Sequence, residues 1–204
     1  MRVRPKALLD ANVLWSAQQR NVLLQLAVQE TIAVYWTEKI LEEWLRNVDE
    51  GIRARIEART PPLMRRHFPD ATVDPVDLGR DLGRTDRRDH HVAQGALSIA
   101  PCTLVTWNVR DFDRDRLRRR GIRVAVPDLF LSERFDDGPE LVYRVVKNAQ
   151  ANLKKSAPSW DDYLDLLASK NRLKPFVSKV RRFERTLGNV ARADEAGEPP
   201  SGGT

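Results

Sequence analysis

The feature that most constrains the fold is a repeated pairing: a short apolar run that stops on an acid or a polar turn, then an amphipathic stretch. Thr103-Leu104-Val105-Thr106-Trp107-Asn108-Val109-Arg110-Asp111-Phe112 shows it best. Leu104 and Val105 sit between small and β-branched neighbours, the profile of a strand covered on both faces. Asn108 and Asp111 follow where that strand must end. In an open parallel sheet, ligands collect outside the carboxyl ends of the strands, so a carboxylate delivered there faces a prospective site. Ala7-Leu8-Leu9-Asp10 repeats the design near the amino terminus.

Between these two runs the chain alternates. Asn12 or Ser16 is placed to cap a helix over about 21–29, with Val22, Leu23, Leu26 and Ala27 on one face. Ile32–Trp36 reads as a second strand. Thr37 is a candidate N-cap, and Ile40, Leu41, Trp44, Leu45 and Val48 form a helical stripe behind it. Glu42 and Glu43 flank that stripe about 100° apart, so one of them enters a common site and periodicity does not say which. Gly51 breaks the pattern, and 52–64 is basic, weakly amphipathic and interrupted by Pro61-Pro62. Ala71-Thr72-Val73 is the expected third, short strand, and 77–84 a polar loop. Asp86 to Leu97 has helical spacing, with Asp86 and Asp89 three apart at its start. Acids in a first turn are also favoured by capping and by the helix dipole. A basic helix over 113–120 closes at Gly121, and Ile122–Val126 is the last strand, stopped by Pro127-Asp128. The sum is an α/β chain with a parallel sheet and helices on both faces.

The texture changes from Pro139. Leu141, Val142, Val145, Val146 and Ala149 make one amphipathic stripe, and a break falls at Ser156-Ala157-Pro158. Ser159-Trp160-Asp161-Asp162 reads as a helix start, and apolar faces continue to about Leu187, with Pro175 expected to kink or split the element. The expected division is an α/β domain over 1–132, a basic helical extension over 133–188 and a disordered tail over 189–204. The 204 residues suit one compact domain plus such an appendage. A formal charge of +6 fits an anionic partner such as nucleic acid, and a basic surface kept only for solubility fits as well. Cys102 is the single cysteine, which excludes an intrachain disulfide and a cysteine zinc site. The charged start is no signal peptide and no apolar run approaches a membrane span, so a cytoplasmic location is expected.

Asp10, Glu42 or Glu43, Asp86 or Asp89, and Asp111 lie far apart in sequence, yet three of these places are strand ends or helix starts on one edge of the sheet. Carboxylates gathered there repel each other and raise each other's pKa, a penalty that a divalent cation removes. Oxygen ligands point to Mg²⁺ or Mn²⁺, and such an ion with a water supports attack on a phosphodiester. The residues on their own thus point to a metal-dependent nuclease whose basic rim holds a nucleic-acid backbone.

Four segments in order resemble the PIN-domain family, and more narrowly its VapC-type toxin ribonucleases. They are Leu9-Asp10-Ala11-Asn12-Val13-Leu14, Ile40-Leu41-Glu42-Glu43-Trp44, Asp86-Arg87-Arg88-Asp89-His90-His91-Val92 and Thr106-Trp107-Asn108-Val109-Arg110-Asp111-Phe112. The resemblance covers about 6–130. It implies a PIN-like three-layer sandwich around a parallel sheet of about five strands. It also implies catalytic Asp10, Glu43, Asp89 and Asp111, with Asp10, Asp89 and Asp111 as ligands of Mg²⁺ or Mn²⁺. Asn12, Thr106, Asn108 and Asp86 would support these carboxylates. Arg116, Arg118, Arg119 and Arg120 are candidate phosphate contacts. RNA, a cognate antitoxin and a second copy are the implied partners. Many toxins of this kind end soon after the last strand, so the extension from Pro139 is a departure, suited to holding RNA, antitoxin or a second subunit. The alternatives are a PIN nuclease of RNA processing, an inactive nucleic-acid-binding module and a nucleotide-binding protein. No glycine-rich phosphate loop follows the first strand, which counts against the last.

Overall fold

In the computed structural model, residues 4–76, 82–154 and 156–196 are described, with side chains to 189 in the last helix. Four strands, β1 (Lys6–Leu9), β2 (Ala33–Tyr35), β3 (Cys102–Val105) and β4 (Ile122–Ala125), form one all-parallel sheet in the order β2-β1-β3-β4. Leu8 pairs with Tyr35 on one side and Leu104 on the other, and Leu104 pairs with Val124. β1 and β3 are therefore central, and Leu8, Leu9, Leu104 and Val105 are fully buried. That is why their sequences are unbroken apolar runs: neither face meets water.

The expected strand at Ala71–Val73 shrinks to one parallel bridge between Thr72 and Trp36, beyond β2. Trp36 N donates to Ala71 O and Val73 N to Trp36 O, and the indole donates to Thr72 Oγ1 at 3.1 Å. Pro69 and Pro75 bracket the segment and have no N–H to give, so the ladder cannot lengthen. The sheet has four strands and a bridge where about five strands were expected.

Helices cover both faces. α1 (Ala11–Leu14) is one turn starting directly after Asp10, and α2 (Ala17–Val28) begins four residues before the expected start because Ser16 caps it, accepting from Gln19 N. Thr37 caps α3 (Glu38–Arg46), and Ile40, Leu41 and Trp44 are its buried stripe. α4 (Glu50–His67) runs through Pro61-Pro62, where the sequence led us to expect a break. The carbonyls those prolines leave without donors belong to Glu57 and Ala58, both exposed and so open to solvent. The polar segment 77–81 lies outside the described residues. A 3₁₀ turn (Arg87–Asp89) opens α5 (His90–Ser98), a second (Val109–Asp111) follows β3, and α6 (Arg114–Arg119) leads into β4.

α7 (Pro127–Asp137), α8 (Pro139–Ala151), α9 (Trp160–Ser169) and α10 (Lys174–Ala196) complete the chain. α8 turns Val142, Val145, Val146 and Ala149 inward and packs on α2. α10 packs on α7, where Phe135 meets Phe176 and Phe183 edge-on at 6.3 and 5.9 Å. A single apolar cluster extends from Ala7 to Val180. The position 132/133 falls inside α7. Pro175 splits nothing: it is the second residue of α10, where a missing N–H costs no helical bond. α10 continues to Ala196, into the stretch read as a disordered tail, and 197–204 lie outside the described residues.

Candidate active site

Parallel pairing of β1 with β3 sets their carboxyl ends side by side, and Asp10 N donates to Val105 O at 3.1 Å as the ladder ends. Asp10 is 3% exposed. Its Oδ1 caps α1 through Ala11 N at 2.7 Å, and its Oδ2 accepts from Asn12 Nδ2 at 2.7 Å and Thr106 Oγ1 at 2.6 Å. Asn12 Oδ1 accepts from Trp107 N, and Thr106 Oγ1 from Asn108 N. Asn12 and Thr106 thus clamp the two strand ends around one carboxylate. Asn108 contributes a backbone N–H, and its side chain stays exposed at the mouth.

Asp10 lies at the floor of a 480 Å³ cleft that Glu43, Asp89, Asn12, Trp107 and Asn108 also line. The pairs left open by periodicity are divided here. Glu43 faces the cleft and Glu42 is exposed elsewhere. Asp86 is spent on its own turn: it accepts from Arg88 N at 2.9 Å and pairs with the Arg88 guanidinium at 3.2 Å, which holds it below the usual carboxylate range. Asp89 makes no capping bond and lines the cleft. Asp111 is half-buried in the second 3₁₀ turn and does not line the cleft, but its charge acts on Asp89, and its carbonyl accepts from Asp86 N at 2.7 Å.

Burial pushes Asp10 up to about 6, with Glu43 and Asp89 adding and the bonds from Thr106 and Ala11 opposing. Asp89 is also raised to about 6, by burial first, then by Asp111, Asp86 and Glu43. These acids sense one another, yet among the described residues no group of three or more Asp, Glu, His or Cys side chains has the geometry to hold a metal ion. The donor set itself suits a hard divalent cation: carboxylate oxygens whose charges raise one another's pKa, with no thiolate among them.

His91 is buried, and its Nδ1 contacts Arg88 O at 2.8 Å and its Nε2 contacts Glu43 Oε2 at 3.1 Å. It fixes the Glu43 carboxylate from behind. Burial, then Lys39, pushes the imidazole below its ordinary range, with Glu43 opposing. Asp113 caps α6, and Cys102 is a buried thiol pushed up to about 12 by burial. The arginines of α6 do not line this cleft. Arg118 pairs with Asp115 and faces a separate basic groove shared with Arg84, Arg110, Arg114 and Arg123. Arg116, Arg119 and Arg120 lie on the same short helix or its C-cap.

Residues 127–182 match the family model described as the VapC50 C-terminal domain. By this segment the chain is similar to the VapC-type PIN toxins. The matched segment is the helical part, from the first residue of α7 into α10, so the kinship rests on the extension and not on the acid-bearing sheet. No curated protein and no solved structure matches the chain. Other residues of the cleft had no sequence signal: Trp15, Lys170, Asn171 and Arg172 also line it.

Proposed function

We propose that the chain is a metal-dependent endoribonuclease and the toxin of a type II toxin–antitoxin pair. The observation that carries this reading is the convergence of Asp10, Glu43 and Asp89 on one cleft at the carboxyl ends of β1 and β3, with two of the three held near pH 6. Asp10 and Asp89, which share the cleft, would hold Mg²⁺ or Mn²⁺, with Asp111 the further carboxylate whose charge reaches Asp89. When bound, the ion offsets the carboxylate charge and stabilises the negative charge that grows on phosphorus and the leaving oxygen. Glu43, steadied by His91, takes a proton from the attacking water. Asn12 and Thr106 keep the Asp10 carboxylate fixed while charge builds beside it. In-line attack breaks the P–O3′ bond and leaves a 5′-phosphate and a 3′-hydroxyl. An antitoxin from the same cell would block the cleft.

The test is RNA cleavage with Mg²⁺ or Mn²⁺ against EDTA, for wild type, Asp10→Asn and Asp89→Asn, with sequencing of the new 5′ ends after induced expression. Cleavage that needs the ion and vanishes in both variants is expected. Equal cleavage in all three proteins refutes the site. Ion-dependent cleavage without growth arrest would favour a processing nuclease over a toxin, and RNA binding without cleavage an inactive module.

A further inference from the structure

The acidic cleft has a second wall, and it comes from the C-terminal helices. The connection between α9 and α10, residues 170–173, reaches the mouth beside Trp15 and Trp107. Its anchor is Asn171, which is buried, donates to Leu166 O at 3.1 Å and accepts from Ser16 Oγ, the cap of α2. Leu173 is fully buried behind it. The anchor leaves Lys170 and Arg172 exposed on either side.

Arg172 stands at φ +58°, a left-handed conformation that L residues rarely adopt, and its guanidinium lies 4.4 Å from the centroid of the Trp107 ring. Among the described residues neither Lys170 nor Arg172 has an ion-pair partner, whereas Lys147, Lys179 and Arg181 on the neighbouring helices are paired with acids. Trp15 is 64% exposed on the opposite side of the sequence but the same mouth. Two uncompensated cations and an open indole therefore rim a floor of carboxylates. Cations at such a rim suit phosphates, and an open aromatic face suits a base that is not already stacked in a duplex.

We propose that this rim is the substrate-binding wall: Lys170 and Arg172 hold phosphates on either side of the one being cut, and Trp15 stacks an unpaired base. This rests on the ribonuclease reading and gives the helical extension a share in it, the selection of single-stranded RNA.

The test uses the full chain with Asp10→Asn, so that RNA survives, and follows the anisotropy of a labelled single-stranded RNA across a salt series. Lys170→Ala with Arg172→Ala should flatten the slope of log affinity against log salt by about 1.4, at roughly 0.7 for each phosphate contact on a single strand. The charge-matched pair Arg182→Ala with Arg185→Ala, on the exposed side of α10, should leave it unchanged. Trp15→Ala should weaken binding roughly 5- to 100-fold without altering the slope, and Trp15→Phe should restore most of it. Lys170→Arg with Arg172→Lys should keep the slope, which a merely unfolded loop would not. The proposal is overturned if both double variants flatten the slope equally, or if duplex RNA binds as tightly as the single strand and Trp15→Ala changes nothing. If the slope changes hold but wild type cuts no RNA, the ribonuclease reading fails and the binding wall stands. If wild type cuts and the slope is indifferent to Lys170 and Arg172, the reverse is true.

Discussion

Asp10→Asn should abolish cleavage and at the same time make the protein harder to melt. Asp10 is 3% exposed, and its carboxyl is pushed from 3.8 to about 6. A folded pKa above the unfolded one means that the native state holds this proton more tightly. Stability is then full below about pH 4, falls by roughly 1.4 kcal/mol per pH unit between about 4 and 6, and is level above that. The gap from 3.8 to about 6 corresponds to roughly 3 kcal/mol of lost stability at neutral pH without a cation. Asparagine carries no charge and escapes that loss, but it returns part of it. Asp10 accepts from three donors, Ala11 N, Asn12 Nδ2 and Thr106 Oγ1, and an amide has one acceptor oxygen. One bond must go, at a cost of about 1 kcal/mol. The net gain is about 2 kcal/mol, or roughly 4–8 °C for a chain of this size. Melting curves in EDTA from about pH 4 to pH 8 measure it directly. The gap between variant and wild type should open as pH rises through 4 to 6. Millimolar Mg²⁺ should then narrow it, because the ion binds the wild-type carboxylate and stabilises the folded state by mass action. If the variant melts below wild type in EDTA at neutral pH, or if the gap is indifferent to pH, the assignment of Asp10 as a buried, repelled carboxylate is wrong.

Two further outcomes follow from the packing. Ending the chain at Gly138 removes α8, α9 and α10, with their buried Val142, Val145, Val146, Tyr163, Leu164, Leu167, Phe176 and Val180, and uncovers the side of α2 on which α8 packs. At about 1.5–3 kcal/mol for each buried side chain lost, the deficit exceeds the stability of an ordinary domain, so 1–138 should show no cooperative melt; a sharp transition would show that the sheet carries its own core. Gly95→Ala sets a Cβ 2.7 Å from Thr37 Cγ2 and 3.4 Å from Leu8 Cδ1, where α5 lies against the sheet. Thr37 is pinned by its capping bond and cannot retreat, so about 1–2 kcal/mol should be lost despite alanine's better helix propensity, seen as a lower urea midpoint with an unchanged slope.

What could be read in the sequence follows from how local each cause is. β1 and β3 were legible because both faces of each are buried, and Thr37 and Ser159 because a cap bonds within its own first turn. The strand at 71–73 was not, since its length depends on prolines that deny a ladder set by β2. The choice between Asp86 and Asp89 turned on Arg88 folding back to occupy Asp86, a contact that spacing does not encode. The partnership of His91 with Glu43 was hidden for the same kind of reason: it exists only because α3 packs on α5, bringing together residues 48 apart.

The cleft's outer wall was the least legible part. Lys170 and Arg172 sit among many basic residues of the extension, and only Asn171, buried and tied to Ser16 at 155 residues' remove, singles them out. On the proposed reading, the acids come from 10–111 and the grip from 170–172, so the two are carried by separate stretches of chain. A change in the α9–α10 connection can then alter which RNA is held without touching a carboxylate. It can do so only while Leu173 and Asn171 stay buried, because the wall is positioned by the same core that holds the sheet. Specificity in this fold is thus free to vary at exposed positions and closed to variation one residue away.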